Sequence, residues 1–311
     1  MRSGRGVFQA VSRRFAPRLP ARLGRRIIGA LGLLAWVGVL QGCSILKLAY
    51  NQAPELAYWY LDAHLDFTGE QSLQVKASLQ QLQAWHRQTQ LPAYALMLQQ
   101  LQQQLLADTT ATQACAVVAD VRGKVGILSR QAEPLAASLA GTLAAGQLRH
   151  LAEKFAKDNA KEQAERLDES PRTRQEKRLE KALERAERLY GPLNDAQQAA
   201  LARRLAQSGF DDRLIFAEKQ RRQGDALSTL QPLTAGQTPP EQTRAALRGL
   251  LDRALVSPNP AYRAYLTQLG QENCQLFADL HNSTTPAQRG KAVQTLKGYL
   301  QDIQTLSARR S

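Results

Sequence analysis

The stretch Tyr94-Ala95-Leu96-Met97-Leu98-Gln99-Gln100-Leu101-Gln102-Gln103-Gln104-Leu105 decides the fold class. Tyr94, Met97, Leu98, Leu101 and Leu105 fall at i, i+3, i+4, i+7 and i+11, which places all five on one face of a helix of 3.6 residues per turn. The positions between them are mostly Gln, a residue that loses little rotamer freedom in a helix. The same spacing runs upstream through Val75, Leu79, Leu82 and Trp85 or His86. Downstream it recurs in Leu179, Leu183, Ala186 and Tyr190, and in Leu247, Leu250, Leu251, Ala254 and Leu255. It returns in Tyr262, Tyr265, Leu266, Leu269, Leu276, Phe277 and Leu280, and in Val293, Leu296, Leu300 and Ile303. No stretch alternates convincingly with the period of two that a half-buried strand requires. The pattern predicts an all-α protein built as elongated helix hairpins or a bundle.

The breaks between these stripes share a signature. Thr68 is followed three residues later by Gln71, Asn194 by Gln197, and Thr285 by Gln288. Each pair predicts a capping box, in which the first side chain accepts from a first-turn N–H and the Gln reaches back to the cap's own N–H. Pro286 falls at the first helical position, where its missing N–H costs nothing. Thr238-Pro239-Pro240-Glu241 predicts a fourth box with Glu in place of Gln. Ser170-Pro171 interrupts a helical pattern and is taken as a domain or hairpin boundary, giving an N-terminal region 43–170 and a C-terminal region 171–311. The stretch 231–240, rich in Thr and Pro, is the other clear connection.

The chain has 311 residues, of which 43% are hydrophobic and 6% aromatic. That supports a core and argues against a β-sandwich or barrel. Thirty-five residues are Gln. The formal net charge of +14 is unevenly placed: residues 1–42 hold eight arginines and no acid, leaving 33 basic against 27 acidic residues in the remainder. Nucleic-acid binding is therefore not expected, although a strongly basic chain would otherwise invite it. Between Arg149 and Arg188 twelve basic residues mingle with ten acidic ones. This reads first as a solvated helix face with favourable i,i+4 pairs such as Glu162/Arg166 and Glu184/Arg188, and second as a docking face for an anionic partner.

Residues 27–40 are fourteen uncharged, mostly apolar residues behind Arg25-Arg26, shorter than the roughly 20 that span a bilayer. A basic stretch, a short apolar core and small residues at its end make a secretory signal. Its end, Leu40-Gln41-Gly42-Cys43, resembles the bacterial lipobox, which implies cleavage before Cys43 and acylation of its thiol. Residues 1–42 are then a lipoprotein signal peptide. Covalent lipid on Cys43 is the one attached group expected, and no other cofactor is. Ser44 is compatible with onward transport, so the expected location is the cell envelope, lipid-anchored, in the outer membrane and facing the periplasm.

Beyond the inner membrane a disulfide between Cys115 and Cys274 is chemically permitted; two separately buried thiols are the alternative. His64, His86, His150 and His281 lie far apart, without metal-ligand spacing. With no nucleophile elbow and no phosphate-cradling glycine loop, no catalytic residue is nominated and an enzyme is not expected. Tyr58, Trp59 and Tyr60 suit either the core, the preferred reading, or a membrane interface.

Leu48-Ala49-Tyr50-Asn51, Tyr58-Trp59-Tyr60-Leu61-Asp62, Phe67–Gln71, Trp85-His86-Arg87 and Leu91-Pro92-Ala93-Tyr94 resemble an uncharacterised proteobacterial lipoprotein family, domain of unknown function 6279, over nearly all of the chain from Cys43. The resemblance implies an envelope location and a helical fold but no established activity. Leu193-Asn194-Asp195-Ala196-Gln197 is also similar, more weakly, to the Leu-Thr-x-x-Gln motif of helical periplasmic chaperones. The expected role is protein binding, as a scaffold or chaperone-like factor for an envelope partner. An envelope hydrolase, or an accessory subunit of one, is the alternative.

Overall fold

The structure is a computed structural model that describes residues 41–234 and 238–308, with side chains from residue 45 onward. Residues 1–40 of the expected signal peptide and the side chain of Cys43 lie outside the described residues. Among those residues there are eleven α-helices and no strand: α1 (Gln41–Asn51), α2 (Ala53–Leu65), α3 (Gly69–Gln104), α4 (Ala111–Ala140), α5 (Ala145–Glu162), α6 (Pro171–Tyr190), α7 (Asp195–Gln207), α8 (Asp212–Leu230), α9 (Pro240–Leu255), α10 (Pro260–Asn282) and α11 (Pro286–Ala308). The all-α reading holds. The two stripes on either side of Pro92 join in the single helix α3, which runs through the proline.

Leu46–Ser311 form one compact unit. Within it α11 packs along α3, α9 and α10 pack against α4, and α6 packs against α7 and α11. Segments from before and after residue 170 therefore interleave. Ser170-Pro171 is a junction between helices inside this unit. Ser170 Oγ accepts from Thr173 N and Pro171 opens α6. The core follows the apolar stripes: Leu105, Tyr190, Leu193, Leu201, Leu280 and Ala292 form one cluster, and Ala137, Ala140, Leu233 and Leu247 a second.

The caps organise the junctions. Gln71, Gln197 and Gln288 each donate N–H to the cap oxygen of Thr68, Asn194 and Thr285, at 3.4, 2.9 and 3.2 Å, and each accepts the cap's N–H in return. A fourth box, Thr110 with Gln113 at the start of α4, has the same spacing and was open to the same reading. At α5 only half the device exists: Ala144 N donates to Gln147 Oε1 at 2.9 Å, and alanine has no side-chain oxygen to answer. The box expected at Thr238 does not form. Pro239 takes the cap position, and Thr238 Oγ1 donates to Pro232 O instead.

Four of these glutamines do more than cap. Gln71 and Gln147 form a reciprocal amide pair, with Nε2 to Oε1 at 3.2 and 2.7 Å. Gln197 and Gln288 form a second, at 2.9 and 3.0 Å. In both pairs each Gln also donates to the carbonyl five residues ahead of the other: Gln71 to Thr142, Gln147 to Asp66, Gln197 to Ser283 and Gln288 to Pro192. The first pair ties the N-termini of α3 and α5, the second those of α7 and α11. The flanking sequence repeats as well. Tyr60, Asp62, His64, Thr68 and Gln71 correspond in order and spacing to Phe277, Asp279, His281, Thr285 and Gln288.

Candidate binding cleft

The residues singled out in the sequence fall at separate places. Cys115 on α4 and Cys274 on α10 are joined by a disulfide, with Cα atoms 5.4 Å apart and the two residues 159 positions apart in sequence. The cap glutamines meet in the two pairs above. The four histidines do not share a site, and among the described residues no group of three or more His, Cys, Asp or Glu side chains could hold a metal ion.

His281 is fully buried, between Tyr190 Oη (2.9 Å) and Ala107 O (2.9 Å). The carbonyl can only accept, so Nε2 carries the hydrogen and Nδ1 accepts from the tyrosine. Burial holds its pKa below the ordinary histidine value, against the opposing pull of Ala107 O. Burial likewise pushes the Tyr190 hydroxyl up. His64, the corresponding residue near α3, donates from Nδ1 to Tyr60 O at 2.7 Å.

Three of the quoted family segments converge on His86. Its Nδ1 lies 3.1 Å from Tyr50 Oη and its Nε2 3.2 Å from Tyr94 Oη, while Arg87 donates to Asn51 Oδ1 at 3.1 Å. Burial lowers the pKa of His86 and raises those of Tyr50 and Tyr94, so all three are neutral at pH 7. The neutral Tyr50–His86 bond and the charged Arg87–Asn51 bond fasten α1 to α3. Tyr58 is half-buried and donates to Ser72 Oγ. Trp59 and Tyr60, by contrast, stand 60% and 65% exposed, so the core reading fails for them.

A cleft of about 580 Å³ lies between α6, α7 and α10. Its floor is apolar, with Leu189, Leu205, Leu276, Phe277 and Leu280. Its wall on the α6 side carries Arg174, Lys177, Arg178, Lys181 and Arg185. Arg174 reaches Asp212 at 3.7 Å, and Lys177 pairs with Glu169. Arg178, Lys181 and Arg185 have no carboxylate within salt-bridge distance among the described residues. Arg178 is half-buried over the Phe210 ring, 4.3 Å from its centroid. Burial depresses its pKa despite the pull of Asp212, Tyr265 and Glu272. A desolvated guanidinium without a direct counter-ion, above an apolar floor, favours an occupant that brings both a negative charge and an apolar face. The sequence hid this stripe because Glu176, Glu180, Glu184 and Glu187, none of which lines the cleft, are interspersed with it along the same helix and cancel it in any count of charges.

A family model described as a family of unknown function, DUF6279, matches residues 63–272. The chain belongs to that family. No curated protein matches it, and no solved structure does.

Proposed function

We propose that this member of the family is a lipid-anchored protein of the bacterial cell envelope that works by binding. In this reading Cys43 carries the acyl chains, the body faces the periplasm from the outer membrane, and the cleft between α6, α7 and α10 receives an acidic amphipathic segment of another envelope protein. The observation that carries the binding role is the row Arg178, Lys181 and Arg185 beside the apolar floor of Leu205, Leu276 and Phe277. Opposite charge along the rim would steer encounter and fix register, and the floor would supply affinity. Support for the compartment comes from the Leu40–Cys43 pattern and from the Cys115–Cys274 disulfide, a bond that persists where the surroundings are oxidising.

The test is photo-crosslinking in the host from a reactive residue at Lys181, in the otherwise native chain and in a chain carrying Arg178→Glu and Arg185→Glu. The expected result is one or two envelope proteins captured through an acidic segment in the first chain and lost in the second. Equal capture by both chains, or capture only from Glu184, which does not line the cleft, would reject the cleft as the site. A broad spread of exported clients through the same residues would make the role chaperone-like rather than that of a scaffold.

A further inference from the structure

The segment from Leu46 to Ala63 inverts the usual arrangement of a surface helix. Its exposed residues are Leu46, Leu48, Ala49, Asn51, Gln52, Ala53, Leu56, Trp59, Tyr60 and Ala63, and none is charged. Its three charged residues lie on the partly covered side: Lys47 pairs with the buried Asp302 at 3.2 Å, Asp62 accepts from Phe67 N, and Glu55 is half-buried. A face left to water in a chain that is 22% charged would ordinarily carry charge. α1 and α2 run on almost without interruption through Gln52, whose N–H donates to Leu48 O and whose carbonyl accepts from Leu56 N, each at 3.0 Å. Leu48, Gln52, Leu56, Trp59 and Ala63 therefore fall in one stripe, about 22 Å long at 1.5 Å per residue. Leu48, Leu56, Trp59 and Tyr60 are 52–65% exposed.

We infer that this face is a lipid-contact surface: α1 and α2 lie in the plane of the membrane, with Leu48 and Leu56 in the acyl boundary and the Trp59 and Tyr60 rings at headgroup level. The inference rests on the anchoring reading above, because acyl chains on Cys43 would hold the stripe against lipid. Leu48 is five residues from Cys43 and Trp59 sixteen, and a chain extends at most about 3.6 Å per residue. The residue types fit the assignment. Trp and Tyr favour the interface because the ring is apolar and its N–H or O–H stays wet. An amphipathic helix in the interface buries its apolar face about 5–10 Å deep. The absence of charge on the face separates it from the α6 cleft, since a lipid contact built this way is insensitive to salt and does not require anionic headgroups.

The test uses the full chain as its host exports it, with Trp36→Phe and Trp85→Phe so that Trp59 is the sole tryptophan. It is reconstituted in vesicles of phosphatidylethanolamine and phosphatidylglycerol with brominated acyl chains. The expected result is strong loss of Trp59 emission, unchanged at high salt and in purely zwitterionic vesicles. Leu48→Glu with Leu56→Glu should restore the emission. Both positions are exposed, so the fold is not at stake. Trp59 that remains open to aqueous quencher overturns the inference. Trp59 shielded from both water and bromine overturns it too, and assigns the face to a protein neighbour or a second copy. Mass spectrometry of the Cys43 peptide from the same samples judges the anchor separately: an acylated Cys43 with water-exposed Trp59 keeps the anchor and discards the face, whereas an unmodified Cys43 with quenched Trp59 does the reverse.

Discussion

At the scale of single residues the glutamines carry the most weight. Gln197 is 2% exposed, and its amide satisfies Asn194 N, Ser283 O and Gln288 at once. Gln197→Leu strands several buried polar groups, each costing about 1–3 kcal/mol when unpaired. The expected loss is about 3 kcal/mol in total, or roughly 6–12 °C in Tm for a chain of this size. Gln113→Leu removes the same type of cap but no second amide, and should lower Tm by only a few degrees; calorimetry of the two variants side by side checks the contrast. His281 supplies a pH prediction. Its folded pKa lies below the unfolded value of about 6.5, so the folded state prefers the neutral ring. That contribution is fully present above about pH 6.5 and is lost as the pH falls from there towards the folded pKa. His86 acts in the same direction. Tm measured at pH 7.5 and pH 5.5 should fall in the native chain and fall less in His281→Asn. An equal fall in both would remove His281 as the source.

At the scale of elements, what the sequence made legible was what is local. A helical stripe repeats every three or four residues and a capping box spans four, so the helix starts at Gly69, Asp195 and Pro286 could be read directly. Thr238 misled because two prolines follow it: Pro239 itself fills the cap position, and the threonine hydroxyl turns back to Pro232. The amide pairs were out of reach because they join residues 76 and 91 positions apart, and nothing in a cap announces its second partner. The disulfide lay between these extremes. Three cysteines left few pairings, but burial as separate thiols was an equally physical outcome until α4 and α10 were seen to pack together. In the chain-entropy account, closing a loop of 159 residues stabilises by about 5 kcal/mol. Reduction, or Cys115→Ser with Cys274→Ser, should lower the denaturation midpoint accordingly, and a midpoint unchanged by reductant would mean that the α4–α10 packing suffices alone.

At the scale of the whole molecule, the described chain is held at two recurrent junctions and one covalent staple, while its open surfaces differ in chemistry. The face of α1 and α2 is apolar and uncharged. The α6 cleft is apolar below and basic along one wall. These call for different partners and different salt responses. Exposed charges act through a screened field whose range shrinks from about 10 Å at 0.1 M salt to about 3 Å at 1 M, whereas apolar burial is little affected. An acidic amphipathic peptide bound in the cleft should therefore lose affinity steeply as salt rises. Lys181→Glu with Arg185→Glu should weaken it at least tenfold at low salt, and the penalty should shrink towards nothing at 1 M. Titration of a fluorescent acidic helix into the two chains across that range decides the matter. Parallel salt curves would show that the basic wall plays no part in binding and that the apolar floor alone attracts the peptide. Converging curves would place the discriminating contacts on α6, which lends the cleft five of its cations and none of its carboxylates.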